Sequence, residues 1–356
     1  MVDVGKSDWR SLVDIDKLMR WMDARGLGSG PIEDPLILGG GTQNLLLRFE
    51  RSGRAYVLRR PPSHPRVNSG DIMQREIRVL SALARTDVPH AALIAGCDDP
   101  TVIGSAFLLM DAVEGFNATA GLPELHAESS DMRYAMGLAL ADGAAALGRV
   151  SLETVGLTTL GKVEGFLERQ VPRWGAQLEG YSVYDGWPGP HALGNVTTVA
   201  GWLEQNRPNS FQPGLMHGDY HIANVMYKLD GPGLAAIVDW ELTTAGDPLL
   251  DLGWMLATWP DSEGNGVGIP SPQPWQGFPK AEALINRYAT STDRDLTNLR
   301  WYVVLACYKL GIILEGTFAR ACAGKAAHDA GQKLHNAGRL LLKRAEHWIE
   351  DPCLQL

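Results

Sequence analysis

The stretch Met216-His217-Gly218-Asp219-Tyr220-His221-Ile222-Ala223-Asn224-Val225-Met226, followed by Ile237-Val238-Asp239-Trp240-Glu241, constrains this chain more than any other. Asp219, Asn224 and Asp239 stand among apolar residues. Val225, Met226, Ile237 and Val238 read as short buried strands around a turn. A carboxylate in such surroundings is costly unless a cation or hydrogen bonds compensate it. Two carboxylates and an amide at neighbouring strand ends suit a divalent metal held beside a proton acceptor. Phosphoryl transfer needs that arrangement, because its catalysis is mostly positioning and charge neutralisation.

A chain of 356 residues is long enough for a large core and for two lobes. Hydrophobic content of 45% with 21% charged residues is that of a soluble globular protein. The net charge of -9 argues against a nucleic-acid partner, which would require a basic face. Cys97, Cys307, Cys322 and Cys353 form no C-x-x-C pair, so neither a zinc site nor a disulfide framework is expected. Reduced thiols and an N-terminus without an apolar core suggest a cytoplasmic location. The apolar run Trp301 to Leu314 contains Lys309 and is too short to cross a bilayer, so no membrane partner is expected.

Along the chain, Asp16 to Arg25 reads as a short helix with Leu18, Met19 and Met22 on one stripe and Gly26 as its stop. Leu36 to Phe49 reads as strand, glycine-rich turn and strand. Gly39, Gly40, Gly41 and Thr42 form the turn, whose exposed N–H groups would suit an anion. Ala55 to Arg60 reads as a third strand ended by Pro61 and Pro62, with Val57 and Arg59 on one face and Tyr56, Leu58 and Arg60 on the other. Asp71 to Leu83 reads as a helix with Met73, Ile77, Leu80 and Ala84 inward and Glu76 at the edge of that stripe. Phe107 to Asp111 is an apolar strand that ends abruptly. Asp131 to Leu147 is an Ala-rich buried helix, Phe166 to Asn195 contains a long Pro/Gly-rich loop, and Val199 to Asn206 is a short helix. Asp247 and Pro248 fit a helix start. Asp251, among leucines, is expected to be buried and to brace the central stretch. Residues 261–279 read as a loop, and helices follow from Lys280 to the end with a break near Gly324.

The pattern H-G-D-x-x-x-x-N followed by D-W-E resembles the kinase catalytic loop and its metal-binding Asp. It is similar to the aminoglycoside phosphotransferase and choline kinase family, above all the branch related to the kinase-like domain fused to some acyl-CoA dehydrogenases. The resemblance covers nearly the whole chain. It implies an α+β, bilobal kinase-like fold. Residues 1–113 would form a small nucleotide-binding lobe, with an antiparallel sheet and one main helix. Residues 114–356 would form a mostly helical catalytic lobe. It also implies that the loop from Gly39 to Thr42 lies over the nucleotide phosphates. Arg59 takes the position of the usual Lys and pairs with Glu76, and backbone groups around Asp111 to Val113 meet the adenine edge. Arg for Lys is a departure, since the two grip phosphate differently.

The reaction so implied moves the γ-phosphoryl group of ATP or GTP to a small-molecule hydroxyl. Asp219 would accept or orient the hydroxyl proton, Asn224 and Asp239 would hold Mg²⁺, and His217 would fix the loop. Residues 296–356 contain eight Lys/Arg and five acids, a balance of +3 in a chain of net -9. That balance leans towards a neutral or anionic acceptor such as a hydroxyacyl thioester. An aminoglycoside acceptor is the alternative, and a nucleotide-binding pseudokinase acting as an interaction module, or a metal-dependent hydrolase, is a reading from another class.

Overall fold

A computed structural model describes residues 10, 13–39, 44–62 and 69–350. The chain forms two compact units. The first is Met1–Glu114 with Val238–Glu241, and the second is Gly115–Ile237 with Leu242–Leu356.

The first unit is built on a five-stranded antiparallel sheet. Its elements are α1 (Ile15–Asp23), β1 (Glu33–Ile37), β2 (Leu45–Arg51), β3 (Arg54–Arg60), α2 (Ser69–Leu83), β4 (Leu93–Cys97), α3 (Pro100–Ile103) and β5 (Phe107–Asp111), with strand order β1-β2-β3-β5-β4. Period-two alternation puts Leu47, Phe49, Tyr56, Leu58, Phe107 and Leu109 in one cluster with Leu18, Trp21 and Met22 of α1. Each such side chain contributes about 1.5–3 kcal/mol on burial. Asp14 caps α1 by accepting from Lys17 N at 3.0 Å, so the helix starts at Ile15 and ends at Asp23, earlier than its sequence pattern suggests. Trp21, rather than Met19, completes its buried stripe.

The opposite sheet face carries Arg59, which pairs with Leu108 of β5. Helix α2 covers this face. Its buried residues are Met73, Glu76, Val79, Leu80 and Leu83, whereas Ala84 is exposed. The apolar periodicity alone puts Glu76 at the edge of the stripe. It stands in the middle, because a cation on the sheet meets it. Strand β4, a five-residue segment containing Gly96, has no clear signal in the sequence.

The second unit is mostly helical. It contains α4 (Glu124–Glu128), α5 (Ser130–Gly148), α6 (Gln170–Glu179), α7 (Val196–Gln205), β6 (Gly214–Met216), β7 (Val225–Tyr227), β8 (Leu234–Ile237), β9 (Thr244–Gly246), α8 (Leu249–Thr258), α9 (Ala281–Thr290), α10 (Leu299–Cys322) and α11 (His328–Glu350). Strand β6 pairs with β9, and β7 with β8, both antiparallel. Residues 170–179 are helical although the sequence there suggests aromatic and turn structure. Pro172 falls in the first turn of α6, where a missing N–H has no intrahelical partner to lose. The expected break at Gly324 is present, with φ +68, and another lies between α9 and α10.

Helix α10 is long and apolar enough to cross a membrane by length and composition, but 67% of its apolar window is buried within the protein. Such a helix is weak evidence for a membrane span. Cys97, Cys307 and Cys322 are free thiols, and Cys353 lies outside the described residues.

Candidate active site

In the second unit, β6 delivers the chain into the turn His217-Gly218-Asp219. Gly218 has φ +88, and a Cβ there would stand 2.6 Å from the Leu242 carbonyl oxygen, so no other residue fits without strain. Asp251, 2% exposed on α8, accepts from His217 N at 2.6 Å and from Gly218 N at 2.9 Å. Burial raises its carboxyl to about 7 against the pull of those two N–H groups. The brace expected of Asp251 is therefore present. Asp247 accepts from Leu249 N at 3.0 Å and from the Tyr302 hydroxyl, a structural role at the start of α8. Tyr220 anchors the turn from below, donating to Leu140 O on α5 at 2.7 Å.

Asp219 sits at the surface of this scaffold with its side chain 30% exposed. Its Oδ1 accepts from Trp254 Nε1 at 2.9 Å and faces His221 Nε2 at 3.3 Å. His221 Nδ1 accepts from Ala223 N at 3.2 Å, which leaves Nε2 as the protonated nitrogen directed at Asp219. Asp219 Oδ2 accepts from Asn224 Nδ2 at 2.9 Å. Burial works to raise this carboxyl. The hydrogen bond and electrostatic pull of His221, the pull of His217 and the Asn224 amide outweigh it and bring it down to about 2. Asp219 is thus an anion at any ordinary pH, held by three side chains, with lone pairs on Oδ2 still open. His217 is fully buried, and its Nδ1 accepts from Asp219 N at 3.3 Å, a contact that fixes the loop.

Asn224 gives its Nδ2 to both the carbonyl and the carboxylate of Asp219, each at 2.9 Å. The amide is thereby oriented, and its Oδ1 is the atom left for a cation. Asn117 holds the neighbouring turn by donating to Ala223 O at 2.6 Å.

In the first unit, Arg59 is 6% exposed and Glu76 3%. Arg59 Nε meets Glu76 Oε2 at 3.0 Å, while its NH2 meets Asp239 Oδ1 at 2.8 Å and Glu241 Oε2 at 3.4 Å. Burial pushes the Glu76 carboxyl up to about 7 against the attraction of Arg59. Asp239 has φ +68, a left-handed conformation that Asp tolerates better than most residues, and its side chain is 42% exposed. Glu241 also accepts from Asn44 Nδ2 at 2.9 Å, and its carbonyl accepts from Arg75 at 3.0 Å.

Gly39 is exposed just past β1, and Gly40, Gly41 and Thr42 lie outside the described residues. Asp111 ends β5. Its carboxylate pairs with Arg54 at 2.7 Å, and its N–H goes to Ala92 O at 2.9 Å. The Val113 N–H makes no hydrogen bond with a described residue.

Among the described residues, no three His, Cys, Asp or Glu side chains gather into a metal cluster. The oxygens of Asn224 and Asp239 are hard donors of the kind Mg²⁺ takes. That ion is ordinarily held by one or two carboxylates and completed by phosphate and water rather than by an all-protein cage.

Sequence reasoning does not reach Trp254 or Lys309 as site residues. Trp254 lies 35 residues beyond Asp219. Lys309 Nζ stands 4.6 Å from the centre of the Trp254 ring and 5.3 Å from that of Trp174. The only signal for Lys309 is a cation inside an apolar helix. Most of the other cations in residues 296–356 do not support the charge argument. Arg320, Lys325, Lys333, Arg339 and Lys343 are exposed, and Arg344 donates to the carbonyls of Ala257 and Trp259.

The profile of the phosphotransferase enzyme family matches residues 36–284. The chain is 30% identical over 319 residues to acyl-CoA dehydrogenase family member 11 of Gallus gallus, covering 87% of this chain but 39% of that relative's length. It is also similar in structure to a provisionally assigned aminoglycoside phosphotransferase from Ralstonia eutropha JMP134. That match has 28% identity and a TM-score of 0.74, over 94% of this chain and 99% of the other. Choline kinase from Cryptosporidium parvum Iowa II shares the fold at 11% identity, with a TM-score of 0.64 over 98% of each chain.

Proposed function

The chain belongs to the phosphotransferase enzyme family, and on that premise we propose that it transfers the γ-phosphoryl group of ATP or GTP to the hydroxyl of a small molecule. The observation that carries this reading is the state of Asp219. It is ionised, held on Oδ1 by Trp254 and His221, and open on Oδ2 beside an oriented Asn224.

An incoming hydroxyl donates to Asp219 Oδ2, which aligns its oxygen for in-line attack. With its carboxyl near 2, Asp219 orients the hydroxyl through most of the reaction and takes the proton late, as the oxygen becomes acidic on bonding to phosphorus. Asn224 Oδ1 and the Asp239 carboxylate would hold Mg²⁺, which when bound neutralises charge on the phosphate oxygens. Chain connectivity supports that pairing. Val225 is the register partner of Ile237, and Asp239 follows Ile237 by two residues. Arg59, fixed by Glu76, carries positive charge to the phosphates, with Gly39 to Thr42 and the backbone at Asp111 to Val113 as further nucleotide contacts.

The test is unfolding temperature with and without magnesium nucleotide. Mg-ATP or Mg-GTP is expected to raise it, since a ligand of the native state stabilises that state. The rise is expected to shrink in D239N and N224A. No rise with either nucleotide would contradict the reading. A rise with no ADP released in the presence of any hydroxyl compound would favour a nucleotide-binding module without transfer.

A further inference from the structure

Among the described residues, Lys309 is the one cation on α10 that the fold leaves beside Asp219 with no opposite charge in contact. Its ammonium makes no ion pair or hydrogen bond with a described residue, and it lies against the faces of Trp254 and Trp174. Arg173, exposed at the start of α6, stacks on the same Trp174 ring at 5.1 Å and likewise pairs with no described carboxylate. Two like charges around one indole repel each other. Burial and the charge of Arg173 lower the Lys309 pKa to about 8, although Asp251 and Asp219 oppose them. A fold tolerates such an arrangement at a cost, and an anion between the two cations relieves it.

The location gives the arrangement a use. Trp254 donates to Asp219 at 2.9 Å, so Lys309 stands one indole ring away from the carboxylate that would receive the acceptor hydroxyl. Resting on the phosphotransferase reading of Asp219, we propose that Lys309 and Arg173, walled by Trp174 and Trp254, form an acceptor subsite for an anionic group, a carboxylate or a phosphate, carried a few bonds from the hydroxyl to be phosphorylated. A polycationic acceptor meets the wrong charge here, because the aromatic faces that would receive a cation already hold the protein's own.

The experiment compares ADP release from Mg-ATP with 4-hydroxybutyrate, 3-hydroxybutyrate and glycerol 3-phosphate against the uncharged 1,4-butanediol, 1,3-butanediol and glycerol, and against kanamycin. The wild-type protein is expected to prefer each anionic compound to its neutral partner and to leave kanamycin untouched. The hydroxybutyrates and glycerol 3-phosphate distinguish a carboxylate from a phosphate. In K309M the KM for the preferred anion is expected to rise by roughly tenfold, with the preference over its neutral partner lost and a smaller change in kcat. K309R is expected to retain part of the preference. R173Q, at an exposed position, is expected to weaken the same preference by roughly threefold and serves if K309M fails to fold. If Mg-ATP stabilises the fold yet no anion is preferred, or the preference survives K309M and R173Q, the subsite is refuted and the phosphotransferase reading stands. If Mg-ATP does not bind, both fall.

Discussion

Arg59 NH2 lies 2.8 Å from Asp239 Oδ1. The residue expected to grip phosphate thus already holds the residue expected to grip metal, with Glu76 behind it at 3.0 Å. Removing the guanidinium leaves Glu76 buried and unpaired. R59A is therefore expected to lose about 3–5 kcal/mol of stability. R59K keeps a cation but cannot reach Glu76 and Asp239 at once, so it is expected to fold with a weaker hold on Mg-ATP. Denaturant unfolding and nucleotide titration check the pair of variants. R59A as stable as wild type would show that the buried network is not needed.

Trp254 is the residue through which α8 orients the Asp219 carboxylate. W254F keeps most of the buried ring and deletes the donor, so kcat is expected to fall by roughly tenfold with a smaller effect on nucleotide KM. Steady-state kinetics with the best acceptor read this directly. Unchanged kcat would mean that His221 and Asn224 suffice to hold Asp219.

Asp251 is expected to matter for the fold before it matters for chemistry. It accepts two backbone N–H groups, and an amide in its place turns one of those contacts into donor against donor. D251N is expected to destabilise by about 2–4 kcal/mol, measured by urea unfolding. Because the folded carboxyl is raised to about 7, its contribution to stability is full below the unfolded value of about 4 and is lost as pH rises through about 7. D251N should remove that part of the pH dependence.

Lys309 makes an opposite prediction. Burial lowers its folded pKa to about 8, whereas an unfolded lysine titrates near 10.4. The fold prefers the neutral amine, so the penalty is full below about pH 8 and fades as pH rises towards 10.4. K309M is therefore expected to be more stable than wild type at about pH 7, by about 1 kcal/mol, and the gap should close near pH 10. A less stable K309M at neutral pH would show that the lysine supports the fold rather than a ligand.

The parts of the site that are local in sequence can be read from it. His217, Gly218, Asp219 and Asn224 have a spacing that suits a tight turn, and Gly218 proves to be the residue whose Cβ would strike Leu242. Asp251 is legible because a carboxylate among leucines requires donors. Glu76 can be given its partner but not its place on the helix, since the pattern treats charge as outward and cannot see the cation opposite. Trp254 and Lys309 are not legible. Each looks like, or interrupts, an ordinary apolar helix face, and only tertiary packing brings them to Asp219. Helix α6 is obscured by Pro172 and Gly175, which signal a turn in isolation but are tolerated in a short packed helix.

The central claim is most directly tested by Mg-ATP-dependent phosphoryl transfer in D219N, measured as phosphorylated acceptor with the best hydroxyl compound. Asparagine keeps the shape of the side chain and can still accept from Trp254, so the fold and Mg-ATP binding should survive. The account predicts a fall in kcat of at least about a hundredfold. Transfer by D219N at a rate close to wild type would contradict it.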